Sequence, residues 1–103
     1  MKQIINGKMY NTETATALAY HRTALSLSDF RYLEERLYVT RKGTYFFYGE
    51  GGPATRYAHH CSDGGWDGGS KIIVVTKEEA MEWAEEHVDA EDLEDIFGEI
   101  EEG

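Results

Sequence analysis

Polar and apolar residues alternate most cleanly between Arg31 and Tyr48, where Leu33, Leu37 and Val39 share one phase and Tyr32, Glu34, Arg36 and Tyr38 the other. A period of two marks a β-strand with unlike faces. Arg41-Lys42-Gly43 reads as a turn with glycine in the left-handed position, and Thr44-Tyr45-Phe46-Phe47-Tyr48 as the returning strand. That second strand is apolar on both faces, which predicts a central place in the sheet. Phe46 or Phe47 is expected to lie fully buried against a later helix.

The rest of the chain falls into shorter pieces. Asn6-Gly7, between Lys2–Ile5 and Lys8–Tyr10, predicts a tight hairpin, because both residues tolerate positive φ. Asn11 or Thr12 is placed to cap a short helix through Ala15, Ala17, Leu18 and Ala19, ending near His21-Arg22. Ser26, Ser28 and Asp29 mark a loop. The glycine-rich stretch from Gly49 to Gly69 predicts an ordered loop, with a helical turn near Thr55–His59, because bare loops of that length are uncommon in compact domains.

Lys71–Val75 reads as a buried strand, and Thr76-Lys77-Glu78-Glu79 as a capping box. The helix it opens runs to about Val88, with Ala80, Met81, Ala84 and Val88 inward. Asp89 is placed to cap a last helix that buries Leu93, Ile96 and Phe97 and stops at Gly98, leaving 98–103 as a frayed acidic tail. The order of elements predicts an α+β fold: one domain over 1–103, a small antiparallel sheet with helices packed on one face.

Composition agrees with a packed interior, since 41% of residues are hydrophobic and 13% aromatic. The single cysteine, Cys61, excludes an internal disulfide and suggests a reducing, cytoplasmic setting. No stretch approaches the roughly 20 apolar residues of a membrane span, and the first residues lack the features of a signal peptide. The charge is what changes the picture. The net value is −10, and Lys77–Gly103 holds thirteen carboxylates against one lysine, while residues 1–76 carry nine bases and seven acids. Such a chain repels nucleic acid and anionic membranes and attracts basic protein surfaces.

Three candidate sites follow. Glu78, Glu82, Glu85 and Asp89 share one helical face, with Glu86 beside them and Glu91 and Asp92 extending the field. Solubilising faces usually mix both signs, so a one-sign field points to docking on a basic partner, or more narrowly to mimicry of nucleic-acid phosphates. His59, His60 and Cys61, with Asp63 and Asp67 nearby, offer zinc ligands, though without paired ligand spacing; no cofactor is otherwise expected. Cys61 as a nucleophile with His21, His59 or His60 lacks any orienting group in the sequence, and Gly49-Glu-Gly-Gly52 lacks the Lys-Ser/Thr of a phosphate loop. The reading is therefore not enzymatic. Tyr32, Tyr38, Tyr45, Phe46, Phe47, Tyr48 and Tyr57 are assigned to core and interface, because the charge opposes nucleic-acid stacking. Trp66 is expected to plug the loop onto the core, with an exposed anchor as the alternative.

Several segments together resemble a family of small acidic proteins carried by bacterial prophages and conjugative elements. They are the Lys2-Gln-Ile-Ile-Asn-Gly-Lys-Met-Tyr-Asn-Thr-Glu-Thr-Ala15 start, Ser28–Phe30, Tyr48–Pro53 and Trp66–Gly69, then a Lys-Ile-Ile strand, Trp83–Glu86 and Ile96–Glu99. The resemblance spans essentially the whole chain and brings no catalytic motif. It implies an accessory role in a bacterial host, a setting that includes anti-CRISPR proteins acting on basic surfaces of nuclease complexes. The expectation is a protein-binding inhibitor of a CRISPR effector that uses the acidic face. Its alternatives are a mobile-element adaptor without a defence role and a small zinc-binding protein.

Overall fold

A computed structural model describes residues 1–98 together with 100 and 103. The chain is α+β, in the order β1 (Lys2–Ile5), β2 (Lys8–Asn11), β3 (Thr16–Arg22), β4 (Leu33–Val39), β5 (Tyr45–Gly51), β6 (His59–His60), β7 (Trp66–Asp67), β8 (Gly69–Val75), α1 (Lys77–His87) and α2 (Ala90–Phe97). The main sheet is antiparallel with strand order β3-β4-β5-β8, and β1-β2 and β6-β7 form separate small hairpins. Among the described residues, no helix is long and apolar enough to cross a membrane.

The doubly apolar β5 lies between β4 and β8, as its sequence predicts, and it divides the interior. On one face, Phe47 joins Leu37, Val75 and Ala80, with Trp83 and Phe97 packed against them. On the other, Phe46 joins Tyr10, Tyr38 and Ile72, and its ring stacks on Tyr38 at 5.2 Å. The helices therefore cover one face and the β1-β2 hairpin the other. The hairpin turn has Asn6 at φ 51° and Gly7 at φ 78°, the pair of positive angles that Asn-Gly accommodates at little cost. Gln3 Oε1 accepts the Ile72 N–H at 3.1 Å, so the hairpin also satisfies a donor on the open edge of β8.

The alanine-rich segment corrects one expectation. Asn11 Oδ1 accepts the Glu13 N–H at 2.9 Å and Asn11 O accepts the Ala15 N–H at 3.0 Å, so a single helical turn forms. The chain then extends, and Thr16–Arg22 pairs with β4 from Thr16↔Val39 to Arg22↔Glu34, with a bulge at Ala17/Ala19. Helix propensity is a weak preference, and the edge of β4 offers a full ladder of backbone partners that outweighs it.

The C-terminal helices form where expected. Thr76 and Glu79 exchange both hydrogen bonds of the capping box, each at 3.1 Å. Ala80 and Ala84 are buried, and Met81 and Val88 half-buried. Asp89 starts α2 by its backbone position alone, since its side chain makes no capping bond, and Gly98 ends the helix at φ 83°. The tail expected to fray lies, at 99, 101 and 102, outside the described residues.

Phe47 is 1% exposed and Phe46 wholly buried. Phe47→Ala is expected to cost about 3–5 kcal/mol, because the rigid sheet beneath it cannot collapse into the space. Urea denaturation of the variant measures this, and a loss below about 1 kcal/mol would contradict the packing described.

Candidate functional site

The acidic face is built by the helical layer. Ala80 and Ala84 lack bulk, so α1 lies close on the sheet, with Met81 and Trp83 half-buried beside them. Glu78, Glu79, Glu82, Glu85, Glu86, Asp89, Glu91, Asp92, Glu94 and Asp95 are all exposed. Leu93, Ile96 and Phe97 turn α2 inward, and the Phe97 ring meets Tyr45 at 5.8 Å. Among the described residues, no lysine or arginine pairs with these carboxylates, and Glu86 approaches only His87 Nε2, at 3.9 Å. Between α2 and β3 runs a groove of about 310 Å³. Leu18, Ala19, Val88 and Ile96 line it together with Asp89, Asp92 and Asp95. All seven residues expected to meet a partner thus lie exposed on one layer of the molecule.

A second constellation was missed in the sequence. Glu35 is 2% exposed and lies under α1. Its Oε2 accepts from Arg56 Nε at 2.8 Å, from Arg56 Nη2, and from the Tyr57 hydroxyl at 2.6 Å. Its Oε1 accepts from Trp83 Nε1 at 3.1 Å. Gly49, opposite Glu35 in the ladder, leaves room for the Tyr57 ring, which a side chain there would strike. Burial, then the bond to Glu35, pushes the Tyr57 hydroxyl far above its ordinary value of 10, so it stays a donor. His21, also opposite Glu35, stacks on His87 at 3.7 Å. Burial first, and the charge of His87 second, lower the His21 pKa, against a smaller pull upward from Glu35. The signal for this cluster was Glu35 itself, a charge in the apolar phase of Leu33, Leu37 and Val39. The clefts of the surface are lined by other residues, and Glu35 faces protein and acts as a tie between layers.

The glycine-rich loop is more regular than its composition suggests, because it contains the β6-β7 hairpin. His59, Cys61 and Asp67 form a group that can hold a metal ion, their donor atoms all within 4.8 Å of one another. Of the three expected ligands, His60 is the exception. It leaves by the other face, where its ring meets Trp66 edge-on at 5.1 Å, and Asp67 takes its place. Trp66 is 59% exposed and so does not plug the core; Tyr57, buried at 1%, does that. Cys61 Sγ donates to Asp67 Oδ2 at 3.0 Å, and that bond first, burial second, raises the thiol pKa. Among the described residues Asp67, and no histidine, accepts the thiol proton.

Comparison with protein-family models, curated proteins and solved structures gave no match for this chain.

Two outcomes test the cluster. Glu35→Ala leaves the Arg56, Tyr57 and Trp83 donors without their acceptor and is expected to cost about 3 kcal/mol, the low end for a broken buried pair because Arg56 keeps some access to water. Chemical denaturation measures it, and a change below about 1 kcal/mol would remove the cluster from its role. Folded His21 binds a proton less readily than it does in the unfolded chain, whose value is near 6.5. Its contribution is complete above that pH and declines as the pH falls below it. His21→Gln should flatten this limb of the stability–pH curve, and an unchanged limb would sink the assignment.

Proposed function

We propose that this protein is a non-catalytic inhibitor that docks its acidic helical layer on a basic protein surface, and that the surface belongs to a CRISPR effector complex in a bacterial host. The observation that carries the docking is the layer itself, with ten exposed carboxylates on α1, α2 and their junction against the single base Lys77. Like charges three or four residues apart on a helix repel by a few tenths of a kcal/mol per pair, so the field lowers the stability of an isolated helix. A field of one sign in turn accelerates encounter with an opposite surface. The α2-β3 groove adds shape to charge, because Asp89, Asp92 and Asp95 line it beside Leu18 and Ile96. A lysine or arginine side chain suits it, with its stem on Leu18 and Ile96 and its charged end among the carboxylates. The effector as target rests on the resemblance to mobile-element proteins alone. Charge complementarity argues against direct nucleic-acid or membrane binding and is compatible with occupation of a groove built for phosphates. In this reading the metal-ligating group of the β6-β7 hairpin takes no part in docking.

The mobile-element adaptor remains the second reading; the same acidic layer would then meet a basic regulator, and the effector assay separates the two. The test measures binding to a purified, guide-loaded CRISPR nuclease, and its DNA cleavage, with the parent and with the triple variant Glu82→Lys, Glu85→Lys, Asp89→Lys. These side chains point away from Ala80 and Ala84, so the variant should melt no lower than the parent. The parent is expected to bind and inhibit, with an association rate that falls as salt rises past the point where the Debye length is about 8 Å. The variant should lose both activities. Equal binding by parent and variant would make the acidic layer a solvated surface only.

A further inference from the structure

We propose that His59, Cys61 and Asp67 bind one zinc ion on a single face of the β6-β7 hairpin, and that the ion fixes the glycine-rich loop. The proposal is independent of the docking reading. It begins with the register. His59 lies directly opposite Asp67, so their side chains leave on the same face, and Cys61, two residues beyond His59, returns to that face. Cys61 is held at the mouth of the turn, its N–H on Gly65 O at 2.8 Å and its O accepting from Gly64 N–H at 3.0 Å. Gly64, at φ 93°, closes that turn in a conformation most side chains avoid. Gly69 gives the His59 ring its space, since a Cβ there would sit 3.1 Å from Nδ1.

The distances suit a small ion. Cys61 Sγ and Asp67 Oδ2 are 3.0 Å apart, and the whole donor set falls within 4.8 Å. Bonds of roughly 2.0–2.3 Å to a tetrahedral zinc place neighbouring donors about 3.3–3.8 Å apart, so modest side-chain rotation completes the site. The chemistry selects the ion. Calcium and magnesium take oxygen donors, whereas imidazole, thiolate and carboxylate together are zinc ligands. Three protein ligands leave the fourth position to water. The hairpin supplies the need, because two paired residues per strand are too few to be stable alone. His60 and Trp66, on the opposite face, remain outside the coordination shell.

Cobalt(II) is the direct probe, because it takes tetrahedral zinc sites and a thiolate ligand gives it an intense near-ultraviolet charge-transfer band. The full-length protein, stripped with chelator, is titrated with cobalt and then zinc. One equivalent of cobalt is expected to raise the band, and one of zinc to abolish it. Cys61→Ser should lack the band, and His59→Ala and Asp67→Asn should each weaken zinc binding by at least about tenfold. His60→Ala should bind as the parent does. Absence of the band in the parent, or equal damage from His60→Ala and His59→Ala, would overturn the proposal.

Discussion

The carboxylate of Glu35 is the constraint on which the arrangement of the layers depends. A charge placed in a sheet interior is expensive unless hydrogen-bond donors replace the water it loses. Here the donors come from two separate parts of the chain: Arg56 and Tyr57 in the glycine-rich loop, and Trp83 in α1. Satisfying one side chain of β4 therefore fixes where the loop crosses the sheet and where α1 lies on it. Arg56 also rests its guanidinium over the Phe47 ring, 4.8 Å from its centre, so the polar tie and the apolar core share a wall.

That tie bears on the acidic layer because α1 is anchored chiefly through Trp83. Its buried residues are Ala80 and Ala84, which permit close approach and contribute little area. Trp83 supplies the rest, through its contact with Phe47 at 4.9 Å and its bond to Glu35. The acidic layer is thus presented on a helix held by a tryptophan, two alanines and α2 behind it. A rigid scaffold beneath a repulsive surface field is what preorganised docking requires, since little is then lost to ordering when a partner arrives.

The parts of the fold that were legible in the sequence are those governed by local chemistry. Asn6-Gly7, Gly43 and the Thr76–Glu79 box each act within a few residues, and each is found as read. The doubly apolar Thr44–Tyr48 run declared its central place because burial on both faces leaves no other phase. What failed depended on distant partners. Thr16–Arg22 is a strand because β4 offers an edge, and no local feature of an alanine-rich segment contains that information. Trp66 was expected to be the plug, with an exposed position as the alternative; it is exposed, and Tyr57 fills the place, its hydroxyl donating to Glu35. The acidic face was legible because exposure follows directly from charge and helical spacing. Of the donor group, His59 and Cys61 were named, but replacing His60 by Asp67 required the pairing of β6 with β7.

The central claim is that the exposed layer of α1 and α2 is the contact surface, and carboxylate footprinting tests it most directly. The free protein and its complex with a guide-loaded CRISPR nuclease are treated with a water-soluble carbodiimide and an amine, and modification at each acid is read by mass spectrometry. The account predicts that Glu82, Glu85, Asp89, Glu91 and Asp92 become protected in the complex, while Glu13, Glu50 and Asp63, elsewhere on the surface, react equally in both states. Unchanged modification of the helical layer, or protection centred on Asp63 instead, would contradict it.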